Sequence, residues 1–191
     1  MTYFLNWIEN LRDGFFNLFK KREKYLPLVA KARKFAIKHH RRTNHRYGSK
    51  PYSYHLEQCY KIALKFILLI PEKYREEVLA AIWLHDCIED CRLTYGDIKK
   101  EFGVLVADLV FAVTNEKGKT RIERANNKYY NGIVGQMFAT FVKNCDRIAN
   151  IENAKKTKNK MYDMYLRENK FFVEKLYNES YKIMFDYLLS V

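Results

Sequence analysis

Two histidines and four carboxylates define the chemistry open to this chain. His85, Asp86, Glu89 and Asp90 close an apolar run, Val78-Leu79-Ala80-Ala81-Ile82-Trp83-Leu84. A helix this apolar on most sides belongs in the middle of a bundle. Ionisable groups at its end are then partly buried and need partners. His85 and Glu89 lie four apart, as do Asp86 and Asp90, so each pair shares a face of a regular helix. Turning both His85 and Asp86 toward one cation requires the helix to end or distort between them, and a break is expected there. A polar cap on an ordinary helix C-terminus is the plainer explanation. Asp146 repeats the pattern, a carboxylate within an apolar helical stretch, and His55 opens a helix after a basic loop. Together His55, His85, Asp86 and Asp146 make a mixed nitrogen and oxygen donor set that suits Mn²⁺, Fe²⁺ or Zn²⁺. Otherwise His55 and Asp146 are unrelated polar residues satisfied by local hydrogen bonds.

Three helices from distant parts of the chain must carry these donors, as a metal site inside a bundle requires. Composition agrees with that architecture. With 191 residues the chain suits one domain with a substantial core. Only 7 Gly and 3 Pro argue against the many turns of an all-β fold. No window approaches ~18 consecutive apolar residues, so no spanning helix is expected. Cys59, Cys87, Cys91 and Cys145 contain no Cys-x-x-Cys pair and follow no secretory leader, which points to reduced thiols in a cytoplasmic protein. Zinc on Cys87 and Cys91 would need two further soft ligands nearby and is not expected. The net charge is +13, and Lys21 to Lys50 holds eleven Lys/Arg against the single acid Glu23. Such a basic face attracts a small phosphorylated ligand, nucleic acid or an anionic membrane surface.

The pattern of apolar residues predicts an all-α, single-domain helical bundle. Residues 1–24 form an amphipathic helix (Phe4, Trp7, Ile8, Leu11, Phe15, Leu18, Phe19) that packs on the bundle or on a second subunit, with a membrane-surface anchor as the competing reading. Residues 25–191 form the helical domain. A helix over 27–40 presents Leu28, Ala32, Phe35 and Ala36 inward. Residues 41–51 form a loop rich in phosphate donors, and His39, His40 and His45, before and within it, are expected to be phosphate donors or exposed side chains and not ligands. Helices follow from Tyr52 to about Leu69 and from Pro71 to the His85 motif. Thr94 and Asp97 make a capping-box start, Phe102-Gly103 a break, and 104–113 another helix. A helix spans 121–133, another 135–151 with Met137, Phe138, Phe141, Val142 and Cys145 inward, and one last helix 164–189.

The local sequences resemble a known family. The order His … His-Asp … Asp is the signature of the HD phosphohydrolase superfamily. Tyr47-Gly48-Ser49-Lys50-Pro51-Tyr52-Ser53-Tyr54-His55 resembles its "G-x-PY-x-x-H" segment, residues 80–90 resemble "AALLHD-x-x-ED", and Lys143 to Asn150 resembles "K-x-x-D-R-x-x-N". The combination is similar to the alarmone hydrolases, both the hydrolase domain of the bifunctional (p)ppGpp synthetase/hydrolases and their small stand-alone relatives, over about residues 28–155. The resemblance implies that His55, His85, Asp86 and Asp146 hold a metal, usually Mn²⁺, and that Glu89 and Asp90 orient and deprotonate the attacking water. It places Asn150, Lys143 and Arg147 at the nucleotide. The family's loop "H-x-x-Q-x-R-x-x-G-x-PY" is longer and shifted here, so either Arg42 or Arg46 stands at the loop's nucleotide contact. The implied reaction removes the 3′-pyrophosphate from (p)ppGpp. No synthetase segment follows, so hydrolysis alone is expected. Residues 114–133 diverge after Arg121, which keeps a different phosphorylated nucleotide open. A polyanion-binding module with a structural metal is the reading from another class.

Overall fold

The computed structural model describes residues 26–191, so the amphipathic helix expected at 1–24 lies outside them. α1 (Pro27–Arg42) opens on proline, where a helix has no use for the missing N–H. Its buried stripe is Val29, Ala32, Ala36 and His40. Leu28 and Phe35, expected inward, are only partly buried, and His40, expected among the exposed histidines, is 2% exposed. Within the expected loop, β1 (Arg46–Tyr47) and β2 (Lys50–Pro51) pair antiparallel. Gly48 supplies the positive φ of 60° that the turn between them needs.

α2 (Ser53–Phe66) runs on into a 3₁₀ turn, Ile67–Leu69. Pro71 does not start the central helix. It is extended, and a second 3₁₀ turn, Glu72–Tyr74, leads into α3 (Arg75–Leu84). Every residue of α3 from Val78 to Leu84 is buried. α2 and α1 pack against it, as does α6 (Val104–Val113). α3 ends at His85, and Asp86 takes φ −98° and ψ 2° before the single turn α4 (Cys87–Asp90). That backbone region is sparsely allowed and turns successive side chains off a regular helical path.

α5 (Tyr95–Phe102) has the full capping box between Thr94 and Asp97, and Gly103 at φ 86° separates it from α6. The helix expected over 121–133 is two, α7 (Arg121–Arg124) and α8 (Asn127–Gly135). Asn126 caps the second by accepting from the Tyr129 N–H. α9 (Ala139–Lys156) starts later than expected, because Phe138 is left-handed at φ 68°. Met137, expected inward, is therefore 50% exposed ahead of the helix. The last expected helix is also two, α10 (Met161–Leu176) and α11 (Lys182–Ser190). Between them Tyr177 is extended and Asn178 caps a 3₁₀ turn through the Ser180 N–H. α9 lies against α2, α6, α8, α10 and α11. Apart from the short hairpin the regular elements of the described residues are all helices, an all-α bundle. None of their helices is long and apolar enough to cross a membrane.

Candidate metal centre and its cleft

α2, the end of α3 and the middle of α9 bring His55, His85, Asp86 and Asp146 to one buried point. His55 is 1% exposed, His85 2% and Asp146 8%. His55 Nε2 stands 3.2 Å from Asp146 Oδ1 and 3.7 Å from Asp86 Oδ2. His85 Nε2 stands 3.0 Å from Asp86 Oδ2 and 3.8 Å from Asp146 Oδ1. The break at Asp86 makes this possible, since its carboxylate turns back to meet the imidazole before it.

Hydrogen bonds fix how each donor points. His85 Nδ1 bonds the Ile82 carbonyl at 2.8 Å, which assigns the proton to Nδ1 and aims the lone pair of Nε2 at the carboxylates. That Nε2 is buried and has no hydrogen-bond partner, although Asp86 is within ion-pair distance. An orphaned imidazole nitrogen facing two carboxylate oxygens is what a cation between them would satisfy. Without a cation a proton serves instead. Burial opposes the charged ring, but Asp86 and Asp146 prevail and push His85 up to about 9. Burial likewise opposes the charge on Asp86, yet the imidazole beside it holds the carboxyl well below its usual range. Lys143 Nζ, 2.9 Å from Asp146 Oδ2, has the same effect on Asp146 against its own burial. The donor set, the tautomer and the empty valence all fit a divalent metal.

Several positioning residues were not identifiable from the sequence. The Tyr52 hydroxyl donates to Asp86 Oδ2. The Tyr47 ring lies on His55 with centroids 4.8 Å apart, and its hydroxyl donates to Asn150 Oδ1 at 2.8 Å. Asn150 Nδ2 in turn donates to Asp146 Oδ1 at 2.6 Å. Both tyrosines fall inside the recognised motif, but their contacts join residues far apart in the chain. Cys59 also enters the cluster. Its Sγ lies 3.5 Å from His55 Nε2, and its donor atom falls within 4.8 Å of those of His55, His85 and Asp146. Burial, then Asp146, raises this thiol well above its usual value, so it offers an S–H and not a thiolate.

Glu89 and Asp90 stand on α4 at the rim. Asn115 grips the Glu89 carboxylate with its side-chain nitrogen at 3.0 and 3.1 Å and its backbone N–H at 3.3 Å. Asp90 lies 3.5 Å from His45 Nδ1. Burial first, then Asp86 and Glu89, push Asp90 up to about 7, the range of a carboxyl that exchanges protons at neutral pH.

The centre opens into a cleft of about 830 Å³. Asp86, Glu89, Asp90, Lys143, Asp146 and Asn150 line its metal end, and Arg121, Arg124 and Arg167 bring cations to it beside Tyr130, Tyr165 and Phe171. Arg147 also lines it, but its guanidinium is engaged by Asn169, Glu168 and the Tyr165 carbonyl. Arg42 and Arg46 are not among the lining residues. Arg42 faces an outer groove with Lys34, Ile37, Lys38 and Arg41, and Arg46 bonds the Ser49 carbonyl of its own hairpin.

The family described as HD domain matches residues 32–164. Guanosine-3′,5′-bis(diphosphate) 3′-pyrophosphohydrolase MESH1 of Drosophila melanogaster is 33% identical over 78 residues, 41% of this chain and 44% of that protein. Its namesake in Danio rerio is 31% identical over 77 residues, 40% of this chain and 43% of that protein. The matched stretch thus spans less than half the length of either curated relative. A solved structure described as "A metazoan ortholog of SpoT hydrolyzes ppGpp and plays a role in starvation responses" superposes with a TM-score of 0.66 at 22% identity. The superposition covers 85% of this chain and 94% of that one, a likeness of fold.

Proposed function

This chain belongs to the HD domain family, and from that premise we propose that it is a metal-dependent phosphohydrolase that removes the 3′-pyrophosphate from a (p)ppGpp-type nucleotide. The observation that carries the reading is the buried His85 Nε2, without a hydrogen-bond partner and facing Asp86 and Asp146, two carboxylates that line a cleft whose walls carry arginines. His55, His85, Asp86 and Asp146 would hold the ion, and Mn²⁺ is our choice for it. A divalent ion there supplies Lewis acidity, making water a stronger acid and a phosphoryl group a better electrophile.

The protein's own groups do the rest. Asp90, at about 7, accepts the proton of the attacking water as the new P–O bond forms, and Glu89, held by Asn115, orients that water. The P–O bond to the ribose 3′ oxygen breaks, leaving pyrophosphate and GDP or GTP. Lys143 fixes Asp146 and adds positive charge where the phosphates enter. Asn150, Arg121, Arg124 and Arg167 line the path of the nucleotide, whose base has Tyr130, Tyr165 and Phe171 to lie against. A reducing, cytoplasmic setting is part of this reading, since all four cysteines are free thiols.

A second reading keeps the chemistry and changes the substrate. Three of the cleft's arginines come from α7 and α10, in or beyond the stretch that diverges from the alarmone hydrolases, and the loop arginines stay outside it. Another 3′-phosphorylated or cyclic nucleotide would then be hydrolysed. Pure protein with Mn²⁺ should release pyrophosphate from ppGpp, and Asp86→Asn should reduce turnover by at least about a thousandfold, as expected for loss of a metal-assisted step. No pyrophosphate from ppGpp, with phosphate or pyrophosphate released from another nucleotide or a cyclic nucleotide opened to its monophosphate, selects the second reading. A wild-type protein inert on every nucleotide ends both.

A further inference from the structure

A second cluster of metal-binding side chains lies on the other side of α4. We infer that His40, Cys87 and Cys91 form a zinc site, separate from the Asp86 centre, that ties the turn carrying Glu89 and Asp90 to α1. All three residues are buried, and their donor atoms lie within 4.8 Å of one another. Cys87 opens α4 and Cys91 ends it, so the two sulfurs stand one helical turn apart. The sequence supplies no neighbouring soft ligand for this pair. The fold does, bringing His40 from α1 with Nε2 3.9 Å from Cys87 Sγ.

The imidazole is oriented as a ligand. His40 Nδ1 lies 3.1 Å from His45 Nδ1, and the ring stacks on Tyr52 at 4.4 Å. With Nδ1 engaged by His45, Nε2 is the nitrogen turned to the thiols, where it meets Cys87 Sγ, the arrangement in which an outer hydrogen bond holds a metal-bound histidine. Two thiolates balance Zn²⁺, so the loaded cluster is neutral and tolerates burial. On binding, both thiol protons leave to solvent, two Zn–S bonds and one Zn–N bond form, and water takes the fourth tetrahedral position. Sulfur donors suit zinc, whereas the carboxylate-rich centre suits harder ions. The two sites therefore differ in what they select.

Metal-stripped full-length protein titrated with Co²⁺ provides the test. A thiolate-to-cobalt charge-transfer band should grow in the near ultraviolet in wild type and in Asp86→Asn, and be absent from Cys87→Ser and Cys91→Ser. Zinc content should fall by one equivalent per chain in each cysteine variant. A wild-type titration with no thiolate band overturns the proposal. Should the variants fail to fold, alkylation of wild type settles it, in urea just sufficient to label the stripped protein. Zinc should protect Cys87 and Cys91 at least tenfold while Cys145 is unchanged. Equal labelling, or a Cys87–Cys91 disulfide isolated without air, overturns it. None of these readouts depends on hydrolysis, so they stand whether or not the nucleotide assignment does.

Discussion

At the centre, each donor is fixed by a contact that can be removed singly. Metal-free His85 binds a proton until about pH 9, and a metal must displace it. Cation affinity therefore rises as pH rises toward 9, by about tenfold per unit where one proton is exchanged, and levels off above. Calorimetry in buffers of different ionisation enthalpy should find a proton released per ion bound at pH 7; a buffer-independent heat would contradict the assignment of His85. Tyr47→Phe removes the hydroxyl that holds Asn150 against Asp146, leaving the ring stacked on His55. It should weaken metal binding by about 10- to 100-fold, the usual consequence of losing an outer hydrogen bond, with fold unchanged by circular dichroism. The four proposed ligands stood out in the sequence, His85, Asp86 and Asp146 as polar residues beside or within apolar stretches and His55 as a histidine opening a helix after a basic loop. Tyr47, Tyr52 and Asn115 were not, because their partners lie 26 to 103 residues away and a tyrosine or asparagine near a turn has many other uses.

Among the helices, what the sequence shows least clearly is where a continuous apolar pattern is interrupted. The break after His85 could be anticipated, because a chemical demand required it. Those at Ala125 and Tyr177 could not. No proline or glycine marks either, and the apolar residues of α10 and α11 keep a helical spacing across the extended Tyr177. Where glycine does mark a break the energetics are simple. Gly103 sits at φ 86° between α5 and α6, and a Cβ built there meets nothing within 4 Å. Gly103→Ala therefore forces a side chain into a backbone region, φ 86° and ψ 174°, that only glycine ordinarily adopts, at about 1–3 kcal/mol without a clash. Urea denaturation should show the midpoint fall with the slope unchanged. Because α6 supports α3, a larger loss accompanied by reduced metal affinity would mean that this junction also sets the register of His85.

Over the described residues, two groups of basic side chains have different consequences. Lys34, Lys38, Arg41 and Arg42 line a groove on α1 and not the cleft, whereas Arg121, Arg124, Arg167 and Lys143 line the space where a nucleotide would enter. Composition gave the total of +13 and the basic run up to Lys50. It could not show that Lys34, Lys38, Arg41 and Arg42 line a groove of their own and not the cleft, since that depends on α1 burying Val29, Ala32, Ala36 and His40. Attraction between the cleft and a polyphosphorylated substrate acts mainly on encounter and binding, and salt screens it over a Debye length of about 8 Å at physiological ionic strength. KM for ppGpp should accordingly rise roughly three- to tenfold between low and high salt, while kcat, set by groups packed around a buried ion, changes little. Substituting Arg124 and Arg167 with glutamine should raise KM at low salt and flatten the dependence. Lys34→Gln with Lys38→Gln should leave the slope as it was, because those side chains line the α1 groove and not the cleft. A slope that follows the α1 lysines instead would place the site of encounter on the outer groove and make the cleft arginines structural partners of Glu168, to which Arg121 is already bonded at 3.1 Å.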